Sequence, residues 1–375
     1  IGAGGFEYLD SARHQAWGRY LEANARLATA IARSGRQPEA ILVQDYHLYP
    51  LPGLLRGPYP DTPILHFTHI PFPDPPVLRL IPDPWRKTIL RGMLGADVVG
   101  LQTRMDVRNF LACCADFLDV HVDDDSGAIQ MPDGRRAFAR AYPASVEPRA
   151  LRRLMRSPEV SEARTRLATE RRDAMTIIRV DRLDPSKNQQ VGFMAFGRLL
   201  EMRPDLRGRV RFLAFMVPSR TDLSVYRAYR DAVYHTIEDI NARYIDDCGG
   251  VPPIHVYYTN DREQALAAME RCSVLLVNSL QDGMNLVAKE WAVVAATPGV
   301  LIVSETAGVS ADAADSALLI SPLDIEGTAR AMADALDMPP AEQRTRHARF
   351  LESVMRWSAR DWINAQLADL GVDGG

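Results

Sequence analysis

The sequence predicts an α/β protein made of two doubly wound, parallel-sheet domains. Short β-branched runs alternate with amphipathic helical patterns over most of the 375 residues. Several runs, beginning with Ala40-Ile41-Leu42-Val43, are apolar at every position, which implies burial on both faces in a parallel sheet covered by helices. Around 147–172 the composition turns charged and polar and divides the series in two.

Residues 12–33 set Trp17, Tyr20, Leu21, Leu27 and Ile31 near one helical stripe, which Ser34-Gly35 stops. Strands are expected at 40–43, 64–67 and 97–101, with helices at 85–95 and 104–118. Turn signals at Asp123–Gly127 and Pro132-Asp133-Gly134 predict a hairpin over 121–136, followed by an extended piece at 138–146. Residues 147–172, rich in Arg, read as a linker plus a surface helix. The second series places strands at 175–180, 210–216, 254–258, 273–277, 300–303 and 317–320. Its helices are expected at 189–203, 222–244, 261–270, 286–296 and 324–337, and the tail is helical, with Trp357 and Trp362. The expected domains are 1–148 and 149–340, with a tail over 341–375.

Composition narrows the function classes. A hydrophobic share of 47% and a charged share of 25% exclude disordered and collagen-like chains. With 44 Lys plus Arg against 48 Asp plus Glu, nothing electrostatic calls for nucleic acid or an anionic membrane. Four cysteines, two of them adjacent (Cys113, Cys114), make neither a disulfide framework nor a CxxC metal site, so a cytoplasmic protein is expected. No stretch approaches the ~20 apolar residues of a membrane span, and no signal peptide is read. The chain does not begin with Met, so its first domain is expected to be incomplete at its start. An oligomer is compatible with the sequence.

Ligands of such sheets lie outside the carboxyl ends of strands, here in the cleft expected between the domains, so polar groups directly after a strand are the candidates. Four loops qualify. Gln44-Asp45-Tyr46-His47 follows the first strand; Asp45 can accept sugar hydroxyls or cap the next helix. Thr68-His69-Ile70-Pro71-Phe72-Pro73 follows the second, and its prolines fix where His69 points, as a catalytic or a structural histidine. Asp181-Arg182-Leu183-Asp184-Pro185-Ser186-Lys187-Asn188 sets two cations beside a helix start, suited to a diphosphate or simply solvated. In Gln281-Asp282-Gly283-Met284-Asn285-Leu286-Val287-Ala288-Lys289-Glu290, Gly283 permits close backbone approach and Asn285 can begin a helix whose free N–H groups meet an anion. Asp282 and Glu290, eight apart, would lie roughly on one side of that helix and bind sugar and ribose hydroxyls; the plainer reading is a cap and a surface glutamate.

No GxGxxG in a strand–helix setting, GxxxxGK[ST], HExxH or GxSxG occurs. Asp123-Asp124-Asp125 reads as a solvated turn, so no catalytic metal is expected.

At the four loops the sequence resembles glycosyltransferase family 20, the trehalose-6-phosphate synthase family. The matching stretches are Asp45–Leu48, His69–Pro73, Asp181–Lys187 and Asp282–Glu290, in the family's order, with the resemblance running from about 13 to 370. It implies the GT-B architecture of two Rossmann-like domains facing across a cleft, the second binding a nucleotide sugar and the tail crossing back to the first. It implies a retaining, metal-independent hexosyltransferase without a cofactor, using a UDP- or GDP-linked donor and a phosphorylated sugar or cyclitol acceptor.

Catalytic roles fall on Asp45, His69, Arg182, Lys187 and Asp282. Arg182, Lys187, Asp282, Gly283, Met284, Asn285, Leu286, Val287 and Glu290 would hold the donor, and Asp45, Tyr46 and Arg220 the acceptor. The family's amino-terminal strand, glycine-rich donor loop and leading acceptor-site aromatics are not seen. Pro185 and Asn188 stand where the family has Tyr and Gly, and Val309-Ser310-Ala311-Asp312 replaces an acidic pair. These variants are similar to actinobacterial relatives such as the validamycin-pathway pseudoglycosyltransferase. That enzyme type, a glucosylglycerol-phosphate synthase and an inert regulatory homologue are the alternatives.

Overall fold

A computed structural model describes residues 9–171 and 174–372, with the side chains of 169–171 left aside. In chain order the elements are α1 (Ser11–Arg33), β1 (Ile41–Gln44), α2 (Leu51–Leu55), β2 (Ile64–Phe67), α3 (Pro75–Leu78), α4 (Asp83–Met93), β3 (Val98–Leu101) and α5 (Arg104–Phe117). Then come β4 (His121–Asp123), β5 (Ala128–Gln130), β6 (Arg136–Ala141), α6 (Pro148–Leu154), α7 (Pro158–Arg171), β7 (Met175–Arg182), α8 (Gln189–Met202), β8 (Val210–Val217) and α9 (Ser224–Tyr244). The chain ends through β9 (Ile254–Tyr257), α10 (Arg262–Met269), β10 (Val274–Val277), α11 (Leu286–Val294), β11 (Val300–Ser304), α12 (Val309–Ala313), β12 (Leu318–Ile320), α13 (Ile325–Asp337), α14 (Pro340–Met355) and α15 (Ala359–Asp369).

The described chain divides into two compact units, one of residues up to 144 together with 359–372, the other of 145–358. The expected single tail is thereby split. Phe350 and Val354 of α14 are buried in the same cluster as Trp291, whereas Leu370, just beyond α15, is buried with Phe67 and Tyr142.

In the first unit the sheet order is β1-β2-β3-β6-β5-β4. The first four strands are parallel, and β4, β5 and β6 form the antiparallel hairpins that the turn signals predict. Asp123 closes its turn on itself, accepting the N–H of Asp125 (3.1 Å) and the Ser126 hydroxyl (2.5 Å), so the acid run is a turn as expected. One expectation fails at β1: Leu42 is 38% exposed, because β1 is the outer strand and its neighbours cover one face only. α5 starts on a capping box, Thr103 Oγ1 accepting the Asp106 N–H (3.1 Å) and Asp106 Oδ2 the Thr103 N–H (3.0 Å). The other carboxylate oxygen of Asp106 accepts the Phe72 N–H (2.8 Å), so the same residue that begins the helix ties down the loop carrying His69.

The second unit has an all-parallel sheet of order β12-β11-β10-β7-β8-β9. Both faces are covered, and alternate residues show it. Val274 and Leu276 of β10 enter one core cluster while Leu275 and Val277 enter the other. α7 corrects the surface-helix reading of 147–172. Val160, Ala163 and Leu167 form a narrow stripe, hidden in the sequence among arginines, and all three are buried in the core. The strand order reverses between β7 and β10, the topological switch point at which open α/β sheets bind ligands.

Candidate active site

In the first unit, Asp45 sits just beyond β1 with φ 72°, a left-handed conformation uncommon for a residue with a side chain. Its backbone is held on both sides: its N–H donates to the Phe67 carbonyl (2.6 Å), and its carbonyl accepts from Nε2 of His66 (3.2 Å). His66 is fully buried, and burial drives its pKa down to about 4, so at neutral pH the ring is uncharged. The Asp45 side chain does not cap the short 3₁₀ turn Tyr46–Leu48. It turns to the neighbouring loop and accepts the His69 N–H (3.2 Å).

The His69 ring pairs through Nε2 with Gln44 Oε1 (2.9 Å) and meets Phe67 edge-on at 4.7 Å, with Trp362 at 6.2 Å. Burial against these neighbours lowers its pKa and the Asp45 carboxylate works against that. Tyr46 is held by its carbonyl, which accepts from the Tyr20 hydroxyl (2.9 Å). Asp45, Tyr46 and His69 are thus assembled at the ends of adjacent strands.

In the second unit, the loops after β7 and β10 meet at the switch point. Asn188 and Asn278 exchange side-chain amide bonds to each other's carbonyls, both at 3.0 Å, and the Leu280 N–H donates to the Ser186 carbonyl (2.9 Å). Across this seam Lys187 Nζ lies 2.5 Å from Asp282 Oδ2, which also accepts from Asn285 Nδ2 (3.0 Å) and the Ser279 hydroxyl (3.3 Å). Asn285, at φ 72°, caps α11 by accepting the Ala288 N–H (3.1 Å). The first-turn N–H groups of Leu286 and Val287 then face outward from the helix start. Arg182 is exposed, and Met284 is buried beneath the loop.

Asp282 and Glu290 do not share a helix face, as their spacing implied. α11 begins only at Leu286, and Asp282 lies in the preceding turn, bridged to Ala307. Glu290 is on the helix, and its carboxylate takes a 2.6 Å hydrogen bond from Arg262.

Arg220, after β8, also has a left-handed backbone (φ 44°), and its Nη1 donates to the Tyr226 hydroxyl (2.9 Å). Among the described residues the left-handed non-glycine positions are Asp45, Asn188, Arg220 and Asn285. Asp45, Asn188 and Asn285 lie in three of the four candidate loops, and Arg220 lies in the loop after β8 to which the family resemblance gives an acceptor role; strain is commonly stored at functional sites.

Sequence reasoning missed a buried pair beneath these loops. Arg179 and Asp181 of β7 are 2.8 Å apart, with side-chain exposures of 0% and 5%. Arg179 also donates to the carbonyls of Lys187 (2.9 Å) and Gln189 (3.4 Å), so it holds the backbone that carries the lysine. Burial raises the Asp181 pKa, against the pull of Arg179 and then Lys187. The guanidinium fills the space over Gly192, where an added Cβ would lie 2.7 Å from Nη1. The only advance sign was one Arg in an apolar strand. Among the described residues no three His, Cys, Asp or Glu side chains converge as metal ligands, and no helix is long and apolar enough to cross a membrane.

The sequence model of glycosyltransferase family 20 matches residues 6–371. The chain belongs to glycosyltransferase family 20. A bifunctional trehalose-6-phosphate synthase/phosphatase of Thermoproteus tenax is 33% identical over 359 residues, 94% of this chain and 48% of that protein, so the chain spans about half the length of that relative. The structure of a UDP-forming α,α-trehalose-phosphate synthase from Burkholderia xenovorans, in complex with glucose-6-phosphate, is 33% identical. It superposes with a TM-score of 0.90, covering 98% of this chain and 80% of that one. A trehalose-6-phosphate structure from E. coli bound with UDP-2-fluoro glucose is 30% identical with a TM-score of 0.88, covering 98% and 79%. The architecture is therefore GT-B.

Two departures from the family 20 pattern have local explanations. Asn188, where the family has Gly, holds φ 57°, and Asn is among the few side-chain-bearing residues that adopt this conformation readily. Asp312, in the stretch that replaces the family's acidic pair, lies 2.9 Å from the ammonium of Lys289, itself 2% exposed, and so gives that buried cation a counter-charge.

Proposed function

We propose that the chain is a retaining glucosyltransferase that moves glucose from UDP-glucose to a phosphorylated sugar, forming trehalose 6-phosphate. The supporting observation is the seam at the switch point, where Lys187, Asp282 and the start of α11 are locked together beside Arg182. In this reading Arg182, Lys187 and the α11 N–H groups meet the charge that grows on the leaving diphosphate. The bond from the sugar's anomeric carbon to the diphosphate breaks, and the acceptor hydroxyl bonds to that carbon on the same face. The hydroxyl proton passes to the departing phosphate oxygen. Asp282 and His69 orient the donor sugar, Asp45 and Tyr46 border the acceptor, Gly283 and Met284 lend backbone, and Glu290 takes the ribose. The asparagine at 188 keeps the turn's backbone and gives no reason to assign a different acceptor.

Incubation of the full-length protein with UDP-glucose and glucose 6-phosphate should release UDP and trehalose 6-phosphate in equal amounts. UDP release without a phosphorylated disaccharide would overturn the reading. Turnover is expected to persist in excess EDTA, since the cations here belong to side chains; its loss in a folded sample would reveal a metal requirement.

Arg220 is assigned the acceptor's phosphate. Its planar fork suits a phosphate, and Arg220→Ala should lower kcat/KM for the phosphorylated acceptor by about 10–150-fold. Lysine should restore it only in part, because it offers a point charge. An unchanged preference for glucose 6-phosphate over glucose in the alanine variant would remove Arg220 from this role.

A further inference from the structure

A side chain connects the loop that carries Arg220 to the donor turn. Tyr226, in the first turn of α9, is half-buried, and its hydroxyl accepts from Arg220 Nη1 at 2.9 Å. The same hydroxyl donates to Asp184 Oδ2 at 3.1 Å. The guanidinium carbon of Arg220 also stands 5.6 Å from the centroid of the tyrosine ring. Asp184 is 8% exposed, and its other oxygen accepts both the N–H (2.9 Å) and the hydroxyl (2.8 Å) of Ser186. Burial raises its pKa, but these bonds and the Arg182 charge outweigh burial and leave it lowered, so it stays an acceptor at neutral pH.

An acceptor-only carboxylate on one side forces the tyrosine proton toward Asp184, and the oxygen's lone pair then faces the guanidinium. The geometry points to Tyr226 as a positioning residue that aims the phosphate-reading arginine by anchoring it to the cap of the turn that carries Lys187. This rests on the proposed role of Arg220 and deepens it. The left-handed backbone at Arg220 fits the same purpose, since such a conformation persists only where neighbours hold it.

The test is a double-mutant cycle on full-length protein, with Tyr226→Phe, Arg220→Ala and both together, assayed with glucose 6-phosphate and with glucose. Tyr226→Phe keeps the ring and its packing, and should raise KM for glucose 6-phosphate by about tenfold with kcat changed less than about twofold. Whatever turnover is measured with unphosphorylated glucose should not fall in step with it. In the Arg220→Ala background the same change should add less than about twofold, because the group it aims is gone. Equal losses with both acceptors, or the same loss in both backgrounds, would show a merely structural tyrosine and overturn the inference. If Arg220→Ala raises KM for glucose 6-phosphate but Tyr226→Phe does not, the positioning role alone fails. If neither variant discriminates the two acceptors, the phosphate reading of Arg220 fails with it.

Discussion

Replacing both Arg182 and Lys187 with alanine should weaken UDP binding by about 10²–10⁴-fold, at ~1.5–3 kcal/mol for each charge-assisted hydrogen bond lost. The two residues should not contribute alike. Arg182 is exposed, and its alanine variant alone should cost about 10–150-fold while moving the unfolding midpoint little. Lys187 already holds Asp282 at 2.5 Å, so a diphosphate must share the ammonium with a carboxylate. Lys187→Ala removes the cation and leaves the Asp282 charge with only the Ser279 hydroxyl and the Asn285 amide as partners, facing an anionic ligand. A second change, Asp282→Asn, should therefore recover part of the UDP affinity lost in Lys187→Ala, although it removes a proposed sugar contact. Titration calorimetry with UDP measures all four proteins, and unchanged affinity in the double alanine variant would sink the donor assignment.

Arg179→Ala should destabilise the fold by about 3–5 kcal/mol, the usual consequence of leaving a buried charge without its partner. The partner is Asp181, 5% exposed, and the loss extends to the Lys187 and Gln189 carbonyls that Arg179 holds. Adding Asp181→Asn should return part of the stability, because the uncompensated carboxylate is then gone. Acidity supplies the sign. The Asp181 pKa is already raised in the folded protein and rises further once Arg179 is removed. Between the unfolded and folded values the native state holds the extra proton, so the variant's deficit should shrink as pH falls toward the unfolded carboxylate's pKa and be largest well above the folded one. Urea unfolding at two pH values reads this directly. A loss below about 1 kcal/mol, independent of pH, would mean that the pair is not ionised.

The strands, the long helices and the four loops were legible because each depends on local pattern: β-branched runs, helical stripes, and polar groups directly after a strand. What stayed hidden depends on contacts between distant residues. Tyr226 finds Asp184 across 42 positions, and nothing around either residue announces it. Arg179 hides between Ile178 and Val180 in a strand that reads as mostly apolar. The eight-residue spacing of Asp282 and Glu290 suggested one helical face, but the helix starts late because Asn285 takes the cap with a left-handed backbone. Conversely, the departure at Asn188 stood out in the sequence only as a change of residue type, whereas the structure shows a left-handed backbone, φ 57°, and a side-chain amide bonded to the Asn278 carbonyl.

The contact between Arg179 and Gly192 also constrains the order in which this protein can change. A side chain at 192 would force the guanidinium, 2.7 Å from where its first carbon would stand, to shift away from the contacts it makes with Asp181 and the Lys187 carbonyl. Arg179, in turn, cannot shrink first without opening a void and leaving Asp181 alone. Either single step passes through a damaged intermediate, so lineages should exchange these positions together or after Asp181 has become neutral. Homologues bearing a large residue at 192 are then expected to carry a small one at 179, and a chimaera that mixes the two states should fold poorly even though each parent folds well.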